Sequence, residues 1–200
     1  MNNQIEEGEG SMKIGHKRLP AIIMLFFLLF PVVVFCGPGM ALAASAEEIN
    51  IGVNGTLKRF TEEITGGSEF LQKAAGVLVF PSVIKAGFGI GGEYGEGALR
   101  IGGKTVEYYN TAAASIGFQL GAQSKSVVVV FLTEKSLQDF RHSNGWKAGV
   151  DGSVALVKWG VGEDINTIDI KDPIVGFVFS NKGLMYNLTI EGSKFTKIVR

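Results

Sequence analysis

The chain has 200 residues, of which 46% are hydrophobic, and its 19 basic side chains balance its 19 acidic ones to a net charge of zero. This length and apolar content suffice for one domain with a hydrophobic core, which argues against a disordered chain. Zero net charge argues against a nucleic-acid binder, because such a protein needs clustered cations to displace counterions from phosphates. A single cysteine excludes a disulfide framework within the chain.

Residues 1–46 have the order of a secretory signal peptide. Basic residues precede an apolar run over 19–35, and a Gly-Pro-Gly sequence then ends any helix that this run forms. Two small-x-small sites follow, at 41–43 and 44–46. We favour cleavage near Ala46, because it places two glutamates at the new N-terminus. The expected location of the mature protein is therefore the periplasm.

Two alternatives to a cleaved signal peptide stay open. Cys36 is a candidate for lipidation, although a bacterial lipobox has a small residue before its cysteine and Phe35 stands there. The apolar run is also a candidate for an uncleaved membrane anchor. The start codon is open as well, because Met12 also precedes the apolar run and is an alternative to Met1.

Two helices are predicted in the N-terminal region 47–75. An apolar stripe at spacings of three and four marks one face of the first helix and consists of Ile49, Val53, Leu57, Phe60 and Ile64. Gly66 and Gly67 are expected to end it. Ser68 is the predicted cap of a second short helix that carries Phe70, Leu71 and Ala74.

Glycines dominate the start of the β-rich region 76–200. Gly87, Gly89 and Gly91 alternate with larger residues, and Gly95 and Gly97 continue the spacing. A strand of this pattern has a nearly bare ridge on one face, which allows another backbone or a helix to approach closely. The same stretch matches the G-x-G-x-x-G pattern of dinucleotide folds, but no helical period follows it, so a packed strand is the favoured interpretation.

Further strands are predicted along the rest of the chain. A buried strand at 77–80 is expected to end at Pro81, and runs at 105–110, 112–123 and 126–132 follow it. Thr133 is the predicted cap of a helix through Phe140. A last hairpin has arms at 174–180 and 184–190 and a three-residue turn at 181–183. Helices and sheet form one α+β domain, with the N-terminal helices packed on a curved antiparallel sheet that is either barrel-like or folded over.

The inventory of reactive side chains predicts no enzyme, no cofactor and no metal site. His142 is the one histidine after the leader, and its place at a predicted helix end favours a solvated residue over a catalytic one. A calcium site is an alternative for the acidic loop that contains Glu163, Asp164, Asp169 and Asp172. The spacing of these residues, however, is not that of an EF-hand. A catalytic pair of carboxyl groups, one acting as general acid and the other as general base, is a further alternative. The candidates for it are Glu93, Glu96 and Glu107. Structural roles are expected for Gln119, Asp151 and Lys158.

Three ordered motifs resemble the SYLF domain family over about 71–198. They are Lys85-Ala86-Gly87-Phe88 with the alternating glycines that include Gly89, then Gly117-Phe118-Gln119-Leu120-Gly121, and then the segment from Gly183 and Leu184 to Glu191, Gly192 and Ser193. The resemblance implies structural roles for these motif residues. It also implies lipid binding, of phosphoinositides in eukaryotic members, actin binding in yeast-type members, and an exported lipid-binding protein in the bacterial branch, to which this sequence is similar.

The resemblance and the residues together predict weak, peripheral binding to membrane phospholipids. The cations expected to contact anionic headgroups are Lys58, Arg59, Lys73 and Lys85, and the aromatic residues expected near the lipid are Phe60, Phe70, Phe88, Tyr94, Tyr108 and Tyr109. The first helix differs from the basic amphipathic helix of eukaryotic members, because four glutamates accompany its two cations. The alternative is a protein-interaction or structural module of the envelope, in which the helix only covers the sheet. An exported protein would not meet actin in its own cell.

Overall fold

Two helices precede a sheet in the computed structural model. Helix α1 spans Ala46–Glu63 and helix α2 spans Gly67–Lys73. The structure describes residues 43–117, 123–156, 164–167, 170–180, 183–185, 190 and 192–200. Within the described part, no helix is both long enough and apolar enough to span a bilayer.

The predicted apolar stripe of α1 is confirmed. Ile49, Val53 and Phe60 are buried under the helix, and the Phe60 ring meets the Phe177 ring edge-on with centroids 4.8 Å apart. Leu57, on the same stripe, is only half-buried. The helix therefore covers the sheet along most of its length and leaves one stripe position beside open space.

The N-termini of the two helices are capped in different ways. The Ser45 hydroxyl accepts a hydrogen bond from the Glu48 amide (3.2 Å), and the Glu48 carboxylate accepts one from the Ser45 amide (2.7 Å), which is a capping box. This contact with the Ser45 backbone lowers the pKa of Glu48. The prediction that Ser68 caps α2 is wrong, because α2 begins at Gly67 and its N-cap is Gly66, whose φ of 75° suits a residue without a Cβ.

The remaining elements form an α+β fold, as predicted. They are β1 (Gly76–Ile101), β2 (Lys104–Gly117), β3 (Gln123–Phe131), α3 (Glu134–His142), β4 (Trp146–Lys147), β5 (Ala155–Leu156), a 3-10 turn (Ile165–Thr167), β6 (Ile174–Ser180), β7 (Gly183–Met185) and β8 (Lys194–Ile198). The strand order is β4-β8-β2-β1-β3-β6-β5, and β7 pairs with β6. The sheet is curled into a half-barrel. It is mixed rather than purely antiparallel, because β5 and β6 run parallel.

Strand β1 doubles back on itself, and its glycines make this possible. An ideal Cβ on Gly95 would lie 2.6 Å from the Ser82 carbonyl oxygen, and Cβ atoms on Gly91 and Gly97 would collide with the carbonyls of Ala86 and Val79. Residue numbers fall in one half as they rise in the other, so the two halves approach each other in antiparallel sense. The predicted close approach is thus confirmed at Gly91, Gly95 and Gly97. Gly87 lies on the other side of this approach, since its Cα would be 2.9 Å from a Cβ on Gly91, while for Gly89 only the backbone pairing is described.

Two predicted details of the strands are wrong. Pro81 does not end a strand but lies inside β1, where the pairing with β3 is irregular between Phe80 and Val83, so the missing amide hydrogen breaks no ladder bond. The last hairpin has a two-residue connection, because Gly183 pairs with Ser180 and belongs to β7. The cap predicted at Thr133 is confirmed, since its hydroxyl accepts a hydrogen bond from the Ser136 amide (3.2 Å).

The sheet has an apolar layer on each face. One layer lies under α1 and includes Val79, Ala98 and Val128, together with Phe177 and Phe179. The other lies under α3, where Phe140 contacts the rings of Tyr109, Phe131, Trp146 and Phe195. Helices therefore cover both faces over the middle of the sheet. The candidate site lies at the edge of the region that the N-terminal helices cover.

Candidate functional site

A cleft of about 440 Å³ opens where both N-terminal helices meet the turn between β1 and β2. Its aliphatic wall comes from both helices and from the start of β1, and consists of Leu57, Leu71, Ala74 and Val77. Its polar rim consists of Thr61, Ser68 and Gln72, and its floor of Gly76, Arg100, Gly102 and Gly103. This volume is within the range of small-molecule sites, about 300–1,000 Å³.

The turn at one end of the cleft is built by two consecutive glycines. Gly102 and Gly103 have φ values of 56° and 77°, the conformation of the tight hairpin turn that joins paired Ile101 and Lys104. An ideal Cβ on either glycine would meet nothing within 4 Å. Glycine is needed here for its backbone conformation, and the turn leaves open space beside Arg100.

Arg100 is the charged side chain on the floor of the cleft. Its guanidinium donates to the Gly103 carbonyl (3.0 Å) and to Asn54 Oδ1 on α1 (2.9 Å). Its Nε is buried and has no acceptor among the described residues. None of the ion pairs in the described part of the chain includes Arg100. The guanidinium is therefore fixed in position, while no carboxylate of a described residue balances its charge.

The four cations predicted to contact lipid lie on separate elements or pair with neighbours, rather than being gathered into one site. Lys58 Nζ lies 3.7 Å from Glu62, and Arg59 Nε lies 2.6 Å from Glu63, both along α1. Arg59 also lies over the Phe179 ring, 5.3 Å from its centroid. Lys73 at the end of α2 donates to Asn166 Oδ1 (3.3 Å), and Lys85 on β1 is opposite Gln123 on β3.

The aromatic residues predicted near lipid are mostly in the core. Phe60, Phe70 and Tyr109 are buried, so these three rings are not available to a membrane surface, and that part of the prediction is wrong. Tyr108 is half-buried and accepts a hydrogen bond from Asn50 Nδ2 (2.8 Å), whereas Tyr94 is 50% exposed. The side chain of Phe88 lies outside the described part.

Glu107 is the centre of a charged network on β2. Its carboxylate accepts hydrogen bonds from the Tyr109 hydroxyl (2.7 Å), the Arg141 guanidinium (2.9 Å) and the Lys197 amine (2.7 Å). Burial favours the neutral acid, but the bonds from Arg141, Lys197 and Tyr109 outweigh it and lower the pKa of Glu107 to about 2. Burial, followed by the bond to Glu107, raises the pKa of Tyr109.

Glu93 and Glu96 have separate partners. Glu93 lies 2.7 Å from Lys125, and both side chains are about 15% exposed or less. Glu96 binds Arg200 and accepts from the Tyr94 hydroxyl (2.7 Å); burial, followed by this bond, raises the pKa of Tyr94. The three glutamates considered as an acid and base are therefore each held by a cation. None of these carboxylates lines the cleft.

Other polar residues from the sequence stabilise turns and helix ends. His142 lies in the last turn of α3, with Nδ1 2.8 Å from the Gln138 carbonyl. Asp151 accepts from the Lys147 amide (2.6 Å), which closes a turn. Asp164 accepts from the Asn166 amide (2.8 Å). Among the described residues, no three His, Cys, Asp or Glu side chains lie close enough together to hold a metal ion.

Several motif residues have a described backbone position. Gly117 pairs with Gly89 across β1 and β2, Leu184 pairs with Phe179, and Gly192 has a φ of 82° in a turn. Other residues named from the sequence lie outside the described part, namely Gln119, Gly121, Lys158, Glu163, Asp169 and Glu191.

Sequence reasoning missed Arg100. The signal was present, because Arg100 is the one charged residue between Gly97 and Gly103 and stands directly before Ile101 and two glycines. Its distance from Asn54 on α1 depends on how the helix crosses the sheet, and no local pattern gives that distance.

Comparison with protein families identifies a match in the second half of the chain. Residues 112–198 match the model of the family described as Ysc84, Las17-binding protein actin regulator. A comparison with curated proteins finds no match. The matched segment runs from within β2 to the end of β8, so every residue that lines the cleft precedes it.

Proposed function

We propose that this chain belongs to the Ysc84, or SYLF, family, whose model matches residues 112–198, and, from this match together with the cleft, that it is an exported, non-enzymatic protein that binds anionic phospholipid at the bacterial envelope. The family is not known as an enzyme family, and some of its members bind lipid or actin. The observation that carries the proposal is the cleft, where aliphatic side chains lie beside a guanidinium that has no carboxylate partner among the described residues. This combination suits a molecule with an apolar chain and an anionic head.

Association with a membrane surface is expected to be weak and peripheral. The net charge is zero, and each cation near an anionic surface contributes only about 1 kcal/mol. Glu62 and Glu63 offset Lys58 and Arg59, so these two cations contribute less than that value. Surface contacts from Lys58, Arg59, Lys73 and Lys85 therefore assist binding, and the cleft is expected to supply its specificity.

Vesicle flotation tests the proposal. Protein recovered from cells that express the full chain should float with phosphatidylglycerol vesicles more than with phosphatidylcholine vesicles. The floating fraction should fall when salt rises from low to physiological concentration, because exposed charges are then screened. Reversing Lys58 and Arg59 to glutamate should reduce flotation further. Equal flotation with both kinds of vesicle would contradict anionic selectivity.

A protein-interaction module is the second candidate. The description of the family names a protein partner, and Ile51 on the outer face of α1 is 64% exposed. In an exported protein the partner would be another envelope protein rather than actin. Absence of flotation with every vesicle, together with an Ile51→Ser change that leaves stability unaltered but weakens a co-purifying complex, would favour this candidate.

The proposed export includes a choice between two cleavage sites. Ser45 caps α1, and Ala44 packs against the core under that helix. Cleavage after Ala46 removes both, at an expected loss of about 1 kcal/mol from the cap alone, whereas cleavage after Ala43 keeps them. These contacts favour a mature N-terminus at Ala44. Intact-mass measurement of the periplasmic form should give this N-terminus. A mass that begins at Glu47, or one that carries a diacylglyceryl group on Cys36, would contradict it.

A further inference from the structure

We propose that the cleft between α1, α2 and the β1–β2 turn binds one anionic, single-chain amphiphile, with its aliphatic chain along Leu57, Leu71 and Val77 and its carboxylate or phosphate head on Arg100. This inference rests on the proposed function, and it adds the class of ligand, the site and the residue that selects the charge. It concerns the part of the chain that precedes the segment matched by the family.

The charge of the head follows from Arg100. A partly buried guanidinium without a carboxylate is unfavourable, and a ligand anion would offset that cost. Asn54 and Gly103 hold the guanidinium through one donor each, at 2.9 Å and 3.0 Å, and Nε has no acceptor among the described residues. Because an arginine has five donors in a planar fork, donors remain for a carboxylate or phosphate oxygen.

The other lining residues indicate that the apolar part of the ligand is an aliphatic chain. Leu57, Leu71, Ala74 and Val77 provide an aliphatic surface, and none of the described lining residues is aromatic. A nucleobase or a sugar would lack a ring to stack on, whereas an acyl chain needs only aliphatic contact. The rim hydroxyls of Thr61 and Ser68 are exposed, so the cleft is open to a ligand from solvent or from a membrane.

The structure also contains a matched control for the cation. Lys104 follows Gly103 in the same turn and is exposed, but it does not line the cleft. Arg100→Gln and Lys104→Gln therefore change net charge equally and differ in whether the lost charge lies in the cleft. Arg100→Lys keeps the charge and removes the planar fork.

A matched pair of bulky substitutions tests the cavity itself. Ser68 lines the cleft and is exposed, so Ser68→Trp should fill it with little effect on the core. Thr65 is exposed nearby and does not line the cleft, so Thr65→Trp adds the same bulk outside it. Thermal melts of all the variants identify any change that acts through folding.

The probes are myristate and the neutral monomyristoylglycerol, both below micelle-forming concentrations, with native mass spectrometry and calorimetry as readouts. We expect one myristate per chain, bound ~10- to 100-fold more weakly by Arg100→Gln, as for the loss of a charge-assisted contact. Lys104→Gln and Thr65→Trp should bind within about twofold of the parent, Arg100→Lys should be intermediate, and Ser68→Trp should lose binding. Binding of monomyristoylglycerol should not depend on Arg100.

The source of the ligand and the proposed function are tested separately. Myristate that binds with unchanged affinity to Arg100→Gln and to Ser68→Trp would overturn the site. Flotation with anionic vesicles, without any binding of the free fatty acid, would overturn the single-chain inference and leave the proposed function standing. Absence of both would overturn the two together. Binding of free myristate without flotation would support the cleft and indicate that its ligand is taken from solution.

Discussion

The Glu107 network and the Arg100 cleft are two partly buried charged regions of one hairpin, and they differ in how their charge is balanced. Glu107 on β2 has Arg141, Lys197 and Tyr109 as donors, so its charge is compensated within the fold. Arg100 on β1 has a carbonyl and an amide oxygen as partners and no carboxylate in the described part of the chain. The first region connects β2, α3 and β8, while the second borders open space.

This difference separates a structural role from a binding role. A buried charge with a full set of opposite partners holds elements together, and loss of one member leaves the others unpaired. A positioned charge without an opposite partner is stabilised when a ligand supplies one. Substitutions in the first region should therefore change stability, and substitutions in the second should change ligand binding.

The largest expected effect is that of Glu107→Gln. The change keeps the shape of the side chain and leaves Arg141 and Lys197 without their carboxylate, so the free energy of unfolding should fall by about 3 kcal/mol. Urea denaturation measures it. The control is Asp139→Asn, which breaks an exposed ion pair with Lys135 and should cost less than about 0.5 kcal/mol. Similar losses in both variants would mean that the network is no more than a surface pair.

The same network predicts how stability depends on pH. The pKa of Glu107 is about 2 in the folded chain, below its ordinary value of 4.5. Its contribution is therefore complete above about pH 4.5 and is lost as the pH falls towards 2, because the unfolded chain then binds the proton first. Urea midpoints of the parent and of Glu107→Gln should converge over this window. A constant difference between the two from pH 6 down to pH 2 would contradict the network.

Gly97 tests whether the strand that carries Arg100 depends on close backbone contact. Gly97→Ala places a Cβ against the Val79 carbonyl and should destabilise the fold by about 1–3 kcal/mol through overpacking. Gly92→Ala is the control, since the nearest atom to its Cβ would be the Ala113 carbonyl oxygen at 3.7 Å, an ordinary contact. If the two alanines prove equally tolerated in equilibrium unfolding, β1 does not double back as described.

The smallest expected effect on stability is that of Arg100→Gln. The variant loses the bonds to Asn54 and Gly103 and is also relieved of an unbalanced charge, so the net change without ligand should be about 1 kcal/mol or less. The comparison with Glu107→Gln is made under identical urea conditions. If the free energy of unfolding fell as much as it does in Glu107→Gln, the role of Arg100 would be structural rather than ligand binding.

Local patterns predicted much of the fold. The spacing of Ile49, Val53 and Phe60 predicted α1 and its buried face, because a helical period is visible within a short window. The alternating glycines predicted a close backbone approach. They did not identify the partner, which is the other half of β1 and depends on where the strand turns back. Pro81 was predicted to end a strand, whereas tertiary pairing leaves its nitrogen where no ladder bond is needed.

The candidate site was less predictable than the fold. Counting cations along the chain selected Lys58 and Arg59, but each has a glutamate four residues later and pairs with it. Arg100 was missed because its importance comes from the lack of a carboxylate partner among the described residues. This can be recognised only when α1, α2 and the hairpin turn are placed together. Burial of Phe60, Phe70 and Tyr109 is likewise a result of packing between distant segments.

The most direct test of the account is a map of backbone amide NMR shifts during titration with myristate. We expect the largest shifts at Leu71, Ala74, Gly102 and Gly103, and we expect the Arg100 Nε–H signal to move with them. Monomyristoylglycerol should shift the amide signals of Leu71 and Ala74 but leave the Arg100 Nε–H signal unchanged. Shifts that centre on Lys58 and Arg59, or that spread over the sheet without involving the turn, would contradict the claim that the cleft beside Arg100 is the binding site.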